Sequence, residues 1–370
     1  MGQRSVLLIN VKRFFLYAKY REENDMRVSI RKTFFAIGQG CFYAERLFFN
    51  GIAKTIIYDC GSCSNGRLWK EIDMFGNNVI DFLILSHFHV DHINGVEKLR
   101  DKREIRNVII PKIDPLDILF YLGSDNTVAE ILLDPESFFG ENTNVIRISS
   151  EGEREPSPEP LTLPDHSKSI TYSHDNIFSA LKMDNDFLWV LKFYIDEFAF
   201  INSKISKNNL LKDDDKNLLR GIITINDFKK CKNDLAKLYR KISKNRVNVT
   251  SLSMLSAPWK RHYWYPEDFG VSVMNGDTLL NTETRISQLV NHFNGLIRHD
   301  VDFHVPHHGS HYNLCRPINE WRNRRAFVMS GYDNNHGHPS GIILRKLSDA
   351  GIPTEVLTEY DRNIVANQII

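Results

Sequence analysis

The sequence lacks the features that would assign a protein of this length to a narrow class. Its five cysteines form an odd, scattered set without a complete disulfide framework, so we expect reduced thiols and a cytoplasmic protein. No apolar run approaches the ~20 residues of a transmembrane helix, so we expect no membrane partner. Positive and negative charges are nearly equal in number, with 47 Lys and Arg against 46 Asp and Glu. The net charge therefore neither requires nor excludes a nucleic-acid partner.

The composition is that of an ordinary globular protein. Hydrophobic residues make up 42% and charged residues 25% of the 370 residues, which is compatible with one large domain carrying insertions or with two domains. We predict an N-terminal extension at residues 1–25 and one domain at residues 26–370. Periodicity weakens over about residues 112–245, where the stretch EGEREPSPEP indicates an exposed connector. We interpret this range as a long, partly helical insertion.

Short buried strands alternate with helices outside that range. Apolar runs predict strands at residues 55–58, 79–86, 108–112, 251–257, 271–280, 301–311, 326–331 and 354–365. Amphipathic segments predict helices at residues 282–298 and 340–350. Such alternation is typical of an α/β layered architecture.

One segment of the predicted insertion is strongly basic. Residues 203–246 contain 13 Lys or Arg against 5 Asp, and the part DFKKCKNDLAKLYRKISK has helical periodicity. A solvated helical face explains this charge, and so does contact with a phosphate backbone. The residues that would make such a contact are Lys229, Lys230, Lys237, Arg240 and Lys241.

The stretch ILSHFHVDHING places three histidines and an aspartate directly after a predicted strand. His87 and His89 are two residues apart and can point the same way, toward one metal ion. Asp91 and His92 lie one step further along the turn and can serve a second ion. Imidazole with carboxylate suits Zn, Mn or Fe better than Ca or Mg. The carboxyl ends of strands are the usual place for sites in α/β proteins.

Other strand ends supply partners for this cluster. Asp59 follows the neighbouring strand and is placed to hold the histidines as a supporting carboxylate. Asp277 also follows an apolar strand and is placed to bridge two metals. In VPHHGSH, one histidine of the pair His307 and His308 is expected to complete the second metal site. We expect His307, which is nearer the strand end, with His308 as its substitute or as a supporting residue.

The motif HFHVDH at residues 87–92 resembles the HxHxDH signature of the metallo-β-lactamase superfamily. Other segments resemble one branch of it, the soluble nuclease-like domain of the DNA-uptake channel protein ComEC and its free-standing relatives. In chain order these segments are AIGQG, YDCGS, NVTSLSML, MNGDT, VPHHGS, SGYDNNHGHPS and LTEYDRNIV. Their order along residues 34–365 carries the resemblance.

The resemblance implies an α/β fold of the four-layer αββα sandwich type, with two divalent ions, Zn or Mn, along one edge of the sheets. It implies hydrolysis by a hydroxide that the two metals activate, in this branch most often of phosphodiester bonds in DNA. The implied ligands are His87 and His89 for the first metal, Asp91, His92 and His307 for the second, and Asp277 as the bridge. Asp91 and Asp277 would also orient the nucleophile and accept its proton.

The sequence departs from the pattern in places. The superfamily often has a further histidine on the first metal; here we expect a water or no ligand in its place, with His174 as the alternative. Arg362 or Asn363 stands where the family has a terminal glycine. His338 in HGHPS is expected either to act on the substrate, by contacting the phosphate or by protonating the leaving oxygen, or to cap the helix that follows.

Three functions are compatible with these residues. The first is a DNA nuclease, with a partner protein that selects the target. The second is a phosphodiesterase for a small linear or cyclic nucleotide. The third is a regulatory or interaction protein with a vestigial metal site, which the nearly complete set of metal ligands disfavours. The substrate depends on whether the range 112–245 covers the metals as a lid or leaves an open basic groove. The oligomeric state is left open.

Overall fold

The structure is a computed structural model that describes residues 28–76, 78–113, 126–150, 159–163, 169–182, 187–195, 212–222, 224–243, 251–260, 270–297 and 300–369. The predicted extension at residues 1–25 lies outside these residues, as does most of the connector EGEREPSPEP. In the described residues no helix is long and apolar enough to cross a membrane.

Strands dominate the described chain. In chain order they are β1 (Ser29–Phe34), β2 (Gly40–Phe49), β3 (Ile52–Ser62), β4 (Val79–Ile80), β5 (Phe82–Ile84), β6 (Glu104–Ile105), β7 (Asn107–Pro111), β8 (Asn144–Ser149), β9 (Ile170–Ser173), β10 (Ile177–Lys182), β11 (Phe187–Ile195), β12 (Leu252–Lys260), β13 (Val271–Met274), β14 (Val301–His304), β15 (Asn323–Met329), β16 (Thr354–Leu357) and β17 (Ile364–Ile369).

Helices fill the connections. They are α1 (Asn65–Met74), α2 (Val90–Ile93), α3 (Val96–Lys102), α4 (Asn126–Leu133), α5 (Pro135–Phe139), α6 (Asp213–Arg220), α7 (Ile225–Ser243), α8 (Glu283–Phe293) and α9 (Gly341–Asp349). The last two begin at side-chain caps: Thr282 accepts a hydrogen bond from the backbone N–H of Arg285, and Ser340 accepts one from that of Ile342. Such caps satisfy backbone donors that the first turn of a helix leaves free.

Two large sheets are built in the same way, each with an antiparallel and a parallel half. The first has the order β17-β1-β2-β3-β5-β7-β8-β9 and becomes parallel from β3 onward. The second has the order β10-β11-β12-β13-β14-β15-β16 and becomes parallel from β13 onward. The parallel strands require helical crossovers, and these cover the outer faces of the sheets.

Three buried apolar clusters separate four layers. One cluster lies between the two sheets, one lies between the first sheet and its helices, and one lies between the second sheet and α8 and α9. The alternation of side chains along β5 shows how the layers arise. Phe82 and Ile84 point into the cluster between the sheets, whereas Leu83 points to the helices. The predicted αββα sandwich is confirmed.

The basic helix α7 packs on the helical layer of the first sheet. Phe228, Leu235 and Leu238 are buried in the cluster beneath it, and Cys231 packs against that cluster at the same helical spacing. Lys229 and Lys230 point outward and are exposed. The helix therefore has one apolar face and one basic face.

The predicted insertion at residues 112–245 is too wide. Strands β8 and β9 extend the parallel half of the first sheet, and β10 and β11 form the edge of the second. Trp189 and Phe193 of β11 are fully buried between the sheets. Of the described residues in that range, the helices α4 to α7 lie outside the two sheets. A strand with apolar side chains on both faces, such as FLWVLKFYI, lacks the alternation by which surface strands are recognised.

Candidate metal centre

Polar side chains from both sheets meet at one edge of the sandwich. In the first sheet Asp59 lies near the end of β3, and the HFHVDH motif follows β5 and continues into α2. In the second sheet Asp277 follows β13, and His307 and His308 lie in a 3₁₀ turn after β14 (His307–Gly309). Each of these strands is parallel to a neighbour, so their carboxyl ends collect at a common edge.

Asp59 fixes the rings of two histidines. Its carboxylate accepts hydrogen bonds from the backbone N–H of Ser86 (2.7 Å), from Oγ of Ser86 (2.7 Å) and from Nδ1 of His92 (2.8 Å). Since Ser86 Oγ donates its only proton to Asp59, it accepts a hydrogen bond from Nδ1 of His87, at 2.9 Å. His87 and His92 therefore both carry a proton on Nδ1 and a lone pair on Nε2.

His308 has the same protonation. Its Nδ1 lies 2.9 Å from the backbone carbonyl of Met329, which can only accept, so the proton is on Nδ1 and the lone pair on Nε2. Second partners of this kind are the usual means by which proteins orient a metal-binding histidine.

The three Nε2 lone pairs point at carboxylates. Nε2 of His87 lies 3.4 Å from Oδ2 of Asp277, Nε2 of His92 lies 3.4 Å from Oδ1 of Asp277, and Nε2 of His308 lies 3.1 Å from Oδ2 of Asp91. Lone pairs facing carboxylates repel unless a cation lies between them. Nε2 of His92, Oδ1 of Asp277 and Nδ1 of His307 are, moreover, buried atoms without a hydrogen-bond partner. Burying such atoms is unfavourable unless they bind something, so the donor set fits divalent cations.

The possible metal-ligand atoms form two groups, one on each carboxylate oxygen of Asp277. On its Oδ2 side lie Nε2 of His87 and Nδ1 of His89, which are 3.1 Å apart. On its Oδ1 side lies His92, which belongs to a second group with Asp91 and His308 whose ligand atoms are all within 4.8 Å of one another. The structure thus brings the predicted first-metal and second-metal residues together on the two oxygens of the predicted bridge. Their roles as ligands stay predictions.

His307 is expected to bind the second metal because it is nearer the strand end, with His308 as the substitute, and this choice stays a prediction. His308, not His307, lies with Asp91 and His92. His307 instead places its Nδ1 3.6 Å from Asp277, and its side chain is 30% exposed. Both histidines have positive φ, 49° and 53°, in the left-handed region. That turn reverses which of two successive side chains faces inward, so nearness to the strand end does not determine which histidine lies with Asp91 and His92.

The buried charges act on one another strongly. Burial lowers the pKa of His87 to about 4, assisted by the charge of His92. Burial alone would raise the pKa of Asp91, but the charges of His92 and His308 outweigh it and hold the pKa of that carboxyl far below its usual range. Burial opposes protonation of His92, but the charges of Asp91, Asp277 and Asp59 outweigh it and raise its pKa. Where no cation is bound, a proton on Nε2 of His92 therefore takes the place of the cation between this ring and Asp277. The centre is an anionic pocket that favours cations.

The backbone at Gly276, beside the centre, leaves no room for a side chain. Gly276 has φ of +49°, and a Cβ at that position would lie 2.6 Å from the hydroxyls of Ser86 and Ser251. Ser251 Oγ accepts a hydrogen bond from the backbone N–H of Asp277 at 3.0 Å. The glycine before Asp277 therefore allows the two sheets to approach and sets the position of the bridging carboxylate.

Known proteins agree with this architecture. A family model described as the Metallo-beta-lactamase superfamily matches residues 48–175, which include the HFHVDH motif. The chain has a metallo-β-lactamase fold. No curated protein matches it.

Solved structures of low sequence identity also resemble the chain. The metallo-β-lactamase fold protein YhfI from Bacillus subtilis is 10% identical, with 92% of this chain and 100% of that chain covered and a TM-score of 0.39. A diphosphatase from the PhnP family is 8% identical, with coverage of 91% and 97% and a TM-score of 0.39. Yeast PDE1 is 7% identical, with coverage of 91% and 99% and a TM-score of 0.43.

The family match covers only part of the predicted metallo-β-lactamase centre. It ends at residue 175, before Asp277 and the pair His307 and His308. The segments that resemble the ComEC-like branch lie mostly beyond that point, so assignment to this branch stays a prediction.

His174 lies in a different cluster. Strand β9, which it follows, is three strands away from β5, or roughly 14 Å at the usual spacing in a sheet. Its ring is 4.6 Å from that of His292, and Asp175 lies between the two histidines in the same group. The structure therefore does not bring His174 to His87 and His89, the residues expected to bind the first metal.

His338 lies beside the centre, and its contact with substrate stays a prediction. Its ring is 5.3 Å from that of His307, and its buried Nδ1 has no hydrogen-bond partner. Burial and the neighbouring His307 lower its pKa to about 4, so the ring is neutral at neutral pH. The alternative role as a helix cap is wrong, because Ser340 caps α9.

The sequence did not single out Ser86 or His304. Ser86 links Asp59 to His87, and its place immediately before the first histidine at a strand end was the available signal. His304 is buried behind the centre with both ring nitrogens lacking a hydrogen-bond partner, and burial lowers its pKa to about 3. Nothing in its strand, VDFHV, distinguishes this histidine from a core residue.

The predicted nucleic-acid contacts are on α7. Lys229 and Lys230 are exposed there, and Lys237 is 74% exposed with its ammonium 3.0 Å from the carboxylate of Asp234. Surface pairs of that kind contribute little to stability. The side chains of Arg240 and Lys241 lie outside the described part of the chain. Whether this face binds DNA stays a prediction.

Proposed function

We propose that this protein is a metal-dependent phosphodiesterase that hydrolyses DNA. The observation that supports this most is the arrangement of protons and lone pairs. Each of His87, His92 and His308 holds its proton on Nδ1 and turns its Nε2 lone pair toward Asp277 or Asp91. A donor set prepared in this way favours divalent ions such as Zn or Mn. The resemblance to nuclease-like domains, and not the distant structural neighbours, supports phosphodiester bonds as the substrate.

Divalent ions bound here would polarise a phosphoryl oxygen and lower the pKa of a water molecule toward neutrality. The protein's own contribution is to hold the surrounding groups in place. Asp59 and Ser86 keep the rings of His87 and His92 in one orientation and in one tautomer. Asp277 is nearly buried, whereas the Asp91 side chain is 21% exposed and can orient a nucleophile that reaches the site from solvent.

His338 acts on the substrate side in this proposal. Because its pKa is about 4, it contacts a phosphate through a neutral N–H and not as a cation. The resulting hydrogen bond lies next to His307, which is also partly exposed. The two rings, 5.3 Å apart, form the wall of the centre that a leaving oxygen would face.

DNA is preferred over a small nucleotide because the described residues leave the centre open. The side chains of His89, His307 and Asp91 are 38%, 30% and 21% exposed. An open edge admits a polymer, whereas a small substrate is usually enclosed in a concave pocket. The exposed basic face of α7 is a further surface on which a phosphate backbone is favoured.

The test is hydrolysis by matched double variants. We expect Asp91→Ala/His92→Ala to lose activity on linear, circular and single-stranded DNA by about 10²–10⁴-fold or more, since it removes a carboxylate that orients the nucleophile and a predicted metal ligand. The variant His174→Ala/Asp175→Ala changes the same residue types elsewhere in the fold and should keep wild-type activity. Assays contain added Mn or Zn, and circular dichroism checks that both variants fold.

Two results would contradict the proposal. One is full activity of the Asp91→Ala/His92→Ala variant. The other is a wild-type protein that hydrolyses cyclic nucleotides in the same assay but leaves every form of DNA intact, which would make a small nucleotide the substrate.

A further inference from the structure

Two exposed tyrosines form a pair beside the metal centre. The side chains of Tyr332, in the loop after β15, and Tyr360, in the loop between β16 and β17, are 70% and 78% exposed. Their ring centroids are 5.5 Å apart, and the rings meet at 89°. A single exposed aromatic residue is ordinary on a protein surface, but a pair in contact with both rings open to solvent is an unsatisfied apolar surface.

Backbone contacts connect this pair to the metal-binding residues. The carbonyl that orients His308 belongs to Met329, which is three residues before Tyr332, or at most about 11 Å along an extended chain. Between them, Oε1 of Gln39 accepts hydrogen bonds from Ser330 (3.4 Å) and Gly331 (3.3 Å). The next residue, Gly40, packs so closely on the Asp91 carbonyl that a Cβ would lie 2.6 Å from it. The tyrosine loop is thus attached to both sides of the centre.

A second set of contacts holds the two tyrosine loops together. The backbone N–H of Tyr332 donates a hydrogen bond to Oε2 of Glu359, at 3.1 Å, and Glu359 directly precedes Tyr360. Gly38, with φ of +80°, leaves the space for this carboxylate, because a Cβ there would lie 2.6 Å from the same oxygen. This hydrogen bond therefore holds the two loops next to each other, while the rings themselves stay exposed.

We propose that Tyr332 and Tyr360 are a stacking platform for an unpaired base of the substrate strand next to the scissile phosphate. The inference rests on the proposed function and names its substrate class: single-stranded polynucleotide, or the frayed end of a duplex. Aromatic rings stack on any base, so they hold a strand without reading its sequence. A base within a duplex has no free face to offer, and so the platform selects against paired DNA.

The experiment measures binding of a fluorescein-labelled dT 12-mer to metal-loaded protein by stopped-flow fluorescence anisotropy, before turnover. A 12-mer of the same length with abasic sites throughout is the second ligand. We expect Tyr332→Ala and Tyr360→Ala each to weaken binding of the dT 12-mer by about tenfold and to leave the abasic 12-mer unaffected. Tyr332→Phe and Tyr360→Phe should remain within about twofold of wild type, because the stacking face is kept.

Trp69→Ala is the matched control, since Trp69 is also an exposed aromatic residue (47%) but lies on α1. It should bind both ligands as the wild type does. The proposal is overturned if the wild type binds the two ligands equally well, or if the alanine variants bind the dT 12-mer normally. It is also overturned if thymidine monophosphate competes at the same concentration as the 12-mer.

The experiments can refute either the phosphodiesterase or the stacking platform without refuting the other. Tyrosine-dependent binding without any metal-dependent cleavage would refute the phosphodiesterase and leave the platform standing. Metal-dependent cleavage of DNA with no difference between bases and abasic sites would refute the platform alone.

Discussion

Among the described residues, histidine and aspartate form two clusters, the candidate metal centre and a remote cluster of His174, Asp175 and His292, and the position of the protons differs between them. In the metal centre, the Nδ1 protons of His87, His92 and His308 are held by outer partners, and the Nε2 lone pairs face carboxylates. In the remote cluster, the backbone N–H of Ile195 donates to Nδ1 of His174, at 3.4 Å, so that the proton of this histidine is on Nε2. That nitrogen has no lone pair for a cation.

The second histidine of the remote cluster has a structural role. Nε2 of His292 donates a hydrogen bond to the carbonyl of Phe193 at 2.7 Å, and Lys192 donates one to the carbonyl of His292, also at 2.7 Å. These bonds connect α8 to β11. The Nδ1 lone pair of His292 therefore faces Oδ1 of Asp175, at 3.6 Å, as the lone pairs of the candidate metal centre face their carboxylates. The two clusters thus share residue types and proximity, and the position of the His174 proton distinguishes the remote cluster.

We expect the largest difference between the two clusters when their aspartates are replaced, because Asp59 orients two of the candidate metal-binding histidines. In Asp59→Asn a single carbonyl oxygen replaces a carboxylate that accepts three hydrogen bonds, so the rings of His87 and His92 lose their fixed orientation. We expect the affinity for Zn to fall by about 10–100-fold, measured by competition with a fluorescent chelator. Asp175→Asn, the equivalent change in the remote cluster, should leave the affinity unchanged. Equal affinities of Asp59→Asn and wild type would show that outer partners do not prepare the centre.

A smaller effect is expected in the pH dependence of stability. Burial lowers the pKa of His292 to about 3 from an ordinary value of 6.5, with the charge of Lys192 adding to the effect. Below pH 6.5 the unfolded chain binds a proton at this residue and the folded protein does not, so stability is lost as the pH falls from 6.5 toward 3. The residue contributes its full stability above pH 6.5.

The variant His292→Gln should therefore lose less stability than the wild type between pH 7 and pH 5, measured as the shift in the urea midpoint. His311→Gln, which changes an exposed histidine, should follow the wild type. A steeper acid loss in His292→Gln than in the wild type would contradict the assigned protonation of the remote cluster.

Much of the sandwich could be predicted from local patterns. The runs at residues 251–257, 271–280, 301–311 and 354–365 all contain strands, and the helices expected at residues 282–298 and 340–350 are α8 and α9. Strand β11 was missed because its side chains are apolar on both faces, and β8, β9 and β10 because they are short and lie among polar connectors. Tertiary burial, which local patterns do not record, decided their place in the sheets.

The site was predictable to the level of residue type. Strand ends followed by histidine or aspartate identified Asp59, Asp277 and the HFHVDH motif, because parallel strands bring their carboxyl ends together. The choice between His307 and His308 was not predictable, since it depends on two successive residues in the left-handed region. The exclusion of His174 likewise depends on a distance of several strands across the sheet, which no local motif contains.

Elemental analysis of the purified protein, after dialysis against metal-free buffer, tests the central claim most directly. The account predicts about two divalent ions per chain in the wild type and in Asp175→Asn, and a clear loss in Asp277→Asn, which removes the carboxylate between the two groups of ligands. Active wild-type protein without bound ions, or Asp277→Asn protein with the wild-type content, would contradict it.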